Sequence, residues 1–155
     1  MTEADVFRLE RTVAFGDCDP AGIVYTARIL DYCLGTIEEF WKSVLDGKSW
    51  YEMNVDLDRG TPFVNVSLDF AAPVTPRGKL DLAVRVLRVG GTSVTFEVSG
   101  RQGPPESFRG ALTCVVVQKG AMRKVAPDDW ILDRVRAFAG IRRDAAAPEA
   151  ATSGP

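Results

Sequence analysis

The chain is organised around the sequence Phe15-Gly16-Asp17-Cys18-Asp19-Pro20-Ala21-Gly22-Ile23-Val24-Tyr25. Two carboxylates, two glycines and a proline stand here between an alternating run and a long amphipathic run. Pro20 fixes its own φ angle and keeps Asp19 out of the helical region, while Gly16 and Gly22 permit backbone shapes that a side chain would block. The composition therefore predicts a shaped loop that delivers a carboxylate to the start of a helix.

The bulk composition predicts one globular domain. Of the 155 residues, 46% are apolar, and the net charge of −2 gives no field that would indicate a nucleic acid or an anionic membrane as a partner. No apolar run reaches the roughly 18 residues that span a bilayer, and residues 1–5 carry acids rather than a signal pattern. Three cysteines in such a chain favour a reducing, cytoplasmic location.

The chain contains no histidine. This excludes Ser-His-Asp and Cys-His catalysis, histidine-based proton transfer and most zinc sites. Cys18 is not expected to act as a nucleophile, because carboxylates flank it and no histidine can activate it. We expect neither a metal ion nor another cofactor, and a carboxylate as the reactive group.

The rest of the chain predicts an α+β fold. Apolar residues at spacings of three and four predict a long helix over residues 26–45, and Trp50 and its neighbours can form a short helical turn. That long helix is the only large apolar element available to cover a sheet. We therefore expect the helix to lie across one face of the sheet. Residues 1–139 are expected to form the domain, and residues 140–155 a disordered tail. Alternation predicts strands over 6–15, 63–72, 79–89, 92–100 and 107–119, with a last short helix over 127–139.

This element order, together with the sequence from Phe15 to Tyr25, resembles the hot-dog fold thioesterases, specifically the 4-hydroxybenzoyl-CoA thioesterase group. The resemblance covers roughly residues 8–127 and includes Gly60-Thr61-Pro62 before a strand. It implies a five-stranded antiparallel sheet wrapped around a long central helix. It also implies homodimers whose sheets join edge to edge, often paired into tetramers, with sites at the subunit interface.

The resemblance assigns roles to individual residues. Asp19, the second acid of the motif, corresponds to the catalytic residue, and the backbone N–H at Thr26 corresponds to the donor to the thioester carbonyl. Gly22, Tyr25 and Thr61 fall in the oxyanion and substrate-binding region. Thr26 departs from the family pattern, since relatives often carry Tyr or His there.

A second departure concerns the CoA phosphates. Relatives tend to carry basic residues in the turn occupied here by Gly90-Gly91. Arg123 and Lys124 are then the candidates for phosphate contact.

Thioester hydrolysis suits these residues. An aspartate is ordinarily ionised at neutral pH, so Asp19 can attack the carbonyl or deprotonate a water, and the sequence leaves both routes open. The helix N-terminus supplies N–H groups and a positive dipole end for the oxyanion. The local pattern Asp19-Pro20 alone also fits a helix N-cap followed by proline. Asp17 is expected to have a structural role, binding backbone N–H groups of the loop.

We therefore expect an acyl-CoA thioesterase that acts on an aromatic or medium-chain acyl group. One alternative is a thioesterase that acts on acyl groups carried by a carrier protein. Another is a non-catalytic module that binds acyl thioesters.

Overall fold

The computed structural model of the protein describes residues 5–142. Within these residues the chain forms a five-stranded antiparallel sheet, a small three-stranded sheet and three α-helices. The strands are β1 Val6–Thr12, β2 Arg59–Gly60, β3 Phe63–Phe70, β4 Lys79–Val89, β5 Ser93–Arg101, β6 Glu106–Val115, β7 Val117–Gln118 and β8 Arg123–Lys124. The helices are α1 Thr26–Val44, α2 Trp50–Val55 and α3 Trp130–Phe138.

The large sheet has the strand order β1-β4-β5-β6-β3, so β1 and β3 are its outermost strands. Each neighbouring pair is antiparallel. Its inner face is apolar, because alternate residues of the central strands are buried; in β4 these are Leu80, Leu82, Val84 and Val86. The apolar residues that alternate in the sequence of these strands are therefore the residues whose side chains are buried.

Helix α1 packs across this inner face. Phe40, which is fully buried, meets the ring of Phe96 on β5 edge to face at 5.3 Å and the ring of Phe138 on α3 at 5.0 Å. The predicted α+β arrangement, a sheet wrapped around a long helix, is confirmed. The buried stripe of the helix comprises Ile29, Tyr32, Cys33, Thr36, Ile37, Phe40, Trp41 and Val44.

Two predicted strand boundaries are wrong. The first strand ends at Thr12, because Phe15–Asp17 form a 3-10 turn instead of continuing it. The predicted strand over 107–119 is two strands that belong to different sheets. The N–H of Val116 donates to the carbonyl of Thr92, and the chain then leaves β6 and pairs, as β7, with β2 and β8.

The short helices begin at capping residues. The Ser49 hydroxyl accepts a hydrogen bond from the N–H of Tyr51, and the Glu52 carboxylate accepts one from the N–H of Ser49 at 2.8 Å. Helix α2 therefore begins with a capping box. Asp129 caps α3, which therefore begins later than the predicted residue 127. Of the expected tail at 140–155, residues 143–155 lie outside the described part of the chain. Within residues 5–142, no helix is both long enough and apolar enough to traverse a bilayer.

Candidate active site

The segment between β1 and α1 is a closed loop. Cys18 and Val24 pair as an antiparallel bridge, and the N–H of Asp19 donates to the carbonyl of Ile23 at 2.9 Å. The N–H of Gly22 donates to the carbonyl of Asp19 at 2.9 Å. Gly22 has a φ of 77°, a backbone conformation that favours glycine. Asp19 therefore stands at the base of a tight loop whose backbone is held from both sides.

The side chain of Asp19 is half-buried and oriented by its own loop. Its Oδ1 accepts the N–H of Ala21 at 2.8 Å, a local bond typical of aspartate in turns. Among residues 5–142, no group donates a hydrogen bond to Oδ2. One carboxylate oxygen is thus fixed, and the other is available to an incoming group.

Asp17 anchors the loop to α1. Its Oδ2 accepts the hydroxyl of Tyr32 at 2.5 Å, and its carbonyl accepts the N–H of Tyr25 at 2.9 Å. The Arg28 Nε lies 3.7 Å from the other carboxylate oxygen. The side chain of Asp17 thus bonds a buried tyrosine rather than the backbone N–H groups we expected.

Tyr32 is held from both sides. It is 1% exposed, and the guanidinium of Arg11 lies 4.3 Å from its ring centroid. Burial, with the hydrogen bond to Asp17 and its negative charge, raises the pKa of Tyr32 to about 12. The hydroxyl therefore stays protonated and donates to Asp17 across the physiological range.

Helix α1 presents its first N–H beside this loop. Tyr25 is the N-cap residue and Thr26 opens the helix, so the N–H of Thr26 has no acceptor within the helix. The first turn itself carries no acidic residue that would offset the positive end of the helix dipole. The N–H of Val24 donates to the carbonyl of Val74 at 2.8 Å and fixes the loop against the β3–β4 connection.

A cavity of about 500 Å³, here called the helix-tip cavity, adjoins the start of α1. Thr26 and Ile29 line it from the helix, and Phe70 lines it from the end of β3. Asp19, Gly22 and Tyr25 do not form its wall in the single chain, although the N–H of Asp19 bonds the carbonyl of Ile23, which does. Its full lining is Ile23, Val24, Thr26, Ile29, Phe70, Ala71, Ala72, Pro73, Val74 and Phe108.

Thr61 belongs to a second cavity, of about 510 Å³, here called the Trp50 cavity. The Thr61 hydroxyl accepts the Nε1–H of Trp50 at 3.0 Å, and the ring of Phe63 meets Trp50 edge to face at 6.2 Å. Within one chain, therefore, Thr61 does not lie with Asp19. The lining comprises Leu34, Trp50, Asn54, Gly60, Thr61, Pro62, Phe63, Val117, Lys119 and Met122.

Arg123 and Lys124 form β8 and are exposed. The β7–β8 hairpin also contributes Lys119 and Met122 to the rim of the Trp50 cavity. At the base of this hairpin, the N–H of Val125 donates to the carbonyl of Val116. The N–H of Val116 in turn donates to the carbonyl of Thr92, which follows the Gly90-Gly91 turn. The candidate phosphate contacts thus stand near the turn that lacks basic residues.

Two of the three cysteine thiols, those of Cys33 and Cys114, are buried. Burial raises the pKa of the Cys33 and Cys114 thiols to about 12. Among the described residues, no three metal-ligating side chains cluster.

Sequence reasoning did not single out Tyr32, which bonds Asp17, or Trp50 and Asn54, which line the Trp50 cavity, as candidate site residues. Tyr32 lies on the apolar stripe of α1, so the pattern gives it the appearance of a core residue. The capping box at Ser49 and Glu52 is a signal that fixes the start of α2 and hence the position of Trp50.

Comparison with known proteins supplies the family. The family model of the thioesterase-like superfamily matches residues 13–135. The crystal structure of a thioesterase superfamily protein from Jannaschia sp. CCS1 is 34% identical, covers 85% of this chain and 92% of that chain, and superposes with a TM-score of 0.81. The structure of 4-hydroxybenzoyl-CoA thioesterase from Pseudomonas sp. strain CBS-3 shares the fold, with a TM-score of 0.72 at 18% identity over 83% of this chain and 98% of that chain.

A curated relative is the 1,4-dihydroxy-2-naphthoyl-CoA hydrolase of Nostoc punctiforme, which is 30% identical over 95 residues. The alignment covers 60% of this chain and 63% of that protein, less than two thirds of its length.

Proposed function

We propose, because the chain belongs to the thioesterase-like superfamily, that it hydrolyses the thioester of an acyl-CoA with Asp19 as the catalytic residue. The observation that carries this proposal is the loop at residues 15–25. It holds a half-buried carboxylate, one of whose oxygens receives no hydrogen bond from the described residues, and it leads into the first N–H of helix α1. A carboxylate and an unsatisfied N–H donor are the two groups that thioester cleavage requires.

The reaction breaks the carbonyl–sulfur bond and forms a carbonyl–oxygen bond. Oδ2 of Asp19 attacks the carbonyl to give a mixed anhydride that water then opens, or it takes a proton from the water that attacks directly. In both routes the thiolate leaves and takes up a proton. The N–H of Thr26 and the positive end of α1 stabilise the negative carbonyl oxygen, a contribution worth about 10²–10³ in rate per donor.

A homodimer would complete the site. Strand β3 is outermost in the sheet, and its side chains Val64, Val66 and Phe70 are exposed. Antiparallel pairing of two β3 strands about a twofold axis brings the Phe63 end of one chain to the Phe70 end of the other. The Trp50 cavity of one subunit then meets the helix-tip cavity of its partner, since these cavities lie at opposite ends of β3.

In that dimer, Asp19, Gly22, Tyr25 and Thr26 come from one subunit and Thr61 comes from the other. Pairing of dimers into a tetramer remains a prediction, as does the cytoplasmic location that the free cysteines favour.

The substrate we propose is an aromatic or medium-chain acyl-CoA, because both cavities have mainly apolar walls. Arg123 and Lys124, with Lys119 at the rim, would contact the nucleotide phosphates. A second candidate substrate is the same acyl group carried on the pantetheine arm of a carrier protein. The Gly90-Gly91 turn favours it, because this turn lacks basic residues and a carrier-bound thioester has no nucleotide phosphates for them to contact.

Thiol release from a panel of thioesters tests this function. The wild type should hydrolyse benzoyl-CoA or octanoyl-CoA faster than the same acyl groups on a carrier protein. Removing both Arg123 and Lys124 should raise KM for the CoA esters about tenfold and leave the matched N-acetylcysteamine thioesters unchanged. Faster turnover of the carrier-bound esters would favour the second candidate, and absence of thiol release from every ester would refute the proposal.

A further inference from the structure

We propose that Arg136 of α3 is a positioning residue for binding of the CoA nucleotide, because it fixes the backbone that presents Arg123 and Lys124. This inference rests on the proposed function and deepens it by naming a residue, outside both cavities, on which nucleotide binding depends. Arg136 is only 8% exposed, so it acts through the backbone that it binds rather than by touching the substrate.

The guanidinium of Arg136 joins two separate connections of the chain. Its Nη2 donates to the carbonyl of Gly90, in the turn between β4 and β5, at 3.1 Å. Its Nη1 donates to the carbonyl of Pro127, which follows β8, at 3.2 Å, and to the carboxylate of Asp133 at 3.0 Å. A planar guanidinium with several fixed N–H donors can hold these three acceptors at once.

The turn between β4 and β5 is permissive in sequence and held by contacts. Two successive glycines, Gly90 and Gly91, give its backbone more freedom than other residues would. The N–H of Gly90 donates to the carbonyl of Ser93 at 2.7 Å, and a Cβ at Gly90 would lie 2.6 Å from the Ser93 hydroxyl oxygen. The bond from Arg136 to the Gly90 carbonyl therefore ties this turn to α3 from outside the hairpin.

The same guanidinium also reaches the β7–β8 hairpin. Pro127 lies shortly after β8, and between them the N–H of Val125 donates to the carbonyl of Val116 at 3.1 Å. The N–H of Val116 donates at 2.8 Å to Thr92, which follows the glycine turn. The turn and the exit of β8 are thus parts of one hydrogen-bonded unit, and the guanidinium binds that unit at both ends.

The basic side chains of β8 depend on this unit for their position. Arg123 and Lys124 are exposed, and long exposed side chains lose conformational entropy when they bind, so a fixed backbone lowers the cost of holding a phosphate. The chemistry at Asp19 does not depend on this part of the chain. Loss of Arg136 should therefore weaken binding of the nucleotide and leave the cleavage step unaltered.

Binding of free CoA, measured by isothermal titration calorimetry, tests the inference without turnover. Arg136→Met keeps a long apolar stem and removes the donors, and it should weaken CoA binding about fivefold. Arg134→Met is the matched control and should leave the affinity unchanged. Arg134 lies on the same helix and also forms an ion pair, with Asp46 at 3.0 Å, but it bonds neither Gly90 nor Pro127.

A mutant cycle separates positioning from a general loss of stability. Replacing Arg123 and Lys124 with alanine should weaken CoA binding about tenfold, and adding Arg136→Met should cause little further loss, because the side chains that it positions are gone. Circular dichroism and thermal unfolding establish that each variant is folded. If Arg136→Met does not fold, Arg136→Lys replaces it in the cycle, since its charge still pairs with Asp133 while its one nitrogen lacks the fork that holds both carbonyls.

The kinetic readout is a split between KM and kcat. Arg136→Met should raise KM for benzoyl-CoA about fivefold with kcat unchanged, and it should leave hydrolysis of the benzoyl N-acetylcysteamine thioester, which has no nucleotide, as in the wild type. An unchanged affinity for CoA in the Arg136 variant would overturn the inference. The same holds for an equal loss with and without Arg123 and Lys124, or for a wild type that does not bind CoA.

The proposed function fails by a different result, namely no hydrolysis of any ester by the wild type. Normal hydrolysis with a CoA affinity that does not depend on Arg136 would overturn the inference alone. The two failures are therefore distinguishable.

Discussion

Replacing Tyr32 with phenylalanine tests how the reactive loop is held, because it removes one hydroxyl and keeps the buried ring. In the wild type this hydroxyl donates to Oδ2 of Asp17 at 2.5 Å, and the tyrosine is 1% exposed. In the variant the carboxylate loses this donor and, of its partners among residues 5–142, keeps only Arg28, at 3.7 Å from its other oxygen. The backbone of Asp17, which bonds Tyr25 and precedes Asp19, should become less firmly placed.

The expected loss of stability follows from the burial of Asp17. A hydrogen bond to a charged group contributes about 1.5–3 kcal/mol to stability. Because the Asp17 side chain is 23% exposed and water can partly replace the hydroxyl, we expect the lower end, about 1.5–2 kcal/mol. For a chain of this length that lowers Tm by roughly 5 °C. Urea and thermal unfolding near neutral pH measure both quantities.

The pH dependence tests whether the Tyr32 hydroxyl is buried and protonated in the folded protein. The pKa of Tyr32 is raised to about 12, above its ordinary value of 10.0, so the folded state holds the proton more tightly than the unfolded state does. The associated stability is fully present below about pH 10 and is lost as the pH rises from about 10 to 12. The Tyr32→Phe variant cannot titrate there, so its deficit relative to the wild type should shrink over that window.

Asp17→Asn and the double variant complete a mutant cycle, in which the two substitutions should be strongly non-additive. The loop should also lose precision, so we expect kcat to fall about tenfold in the Tyr32 variant while KM changes little. A variant as stable as the wild type near pH 8, or a stability deficit that is the same near pH 8 and near pH 11, would refute this reasoning.

Two further predictions concern the thiols and the free sheet edge. In the folded protein an alkylating reagent should modify Cys18 alone, because burial raises the pKa of Cys33 and Cys114 to about 12. All three cysteines should react after unfolding. Rapid double or triple labelling of the native protein, measured by mass spectrometry, would contradict this prediction. Val66→Asp on β3 should halve the solution mass and abolish hydrolysis, since like charges would face each other across the twofold axis. The control variant Leu87→Asp, at an exposed residue of β4, should change neither the mass nor the activity. Light scattering that shows the same mass for the wild type and both variants would contradict the proposed pairing.

Clear periodicity made most of the fold predictable. Strand β4 has the predicted bounds, because inward Leu and Val residues alternate with outward ones over its whole length. Helix α1 follows from its apolar stripe. The two-residue strands β2 and β8 are too short to show a period, and the apolar run at 114–117 gives no sign of where the chain changes sheets.

The site was predictable only where the sequence is unusual. Two acids, a proline and two glycines cannot be core, so they indicate Asp19 and the start of α1. The contacts of Tyr32 with Asp17 and of Trp50 with Thr61 join different elements, and aromatic residues on apolar faces have the pattern of ordinary core. Their roles depend on tertiary placement, which no local pattern encodes.

The most direct test of the central claim compares hydrolysis of benzoyl-CoA by the wild type and by Asp19→Asn, with ester binding measured on the same two proteins. Asparagine keeps the volume of the side chain and an oxygen that can accept the Ala21 N–H, so binding should stay within about twofold. We predict that kcat falls at least about 10²-fold, because the variant offers neither a nucleophile nor a base. Equal kcat in the two proteins would contradict the claim that Asp19 cleaves the thioester.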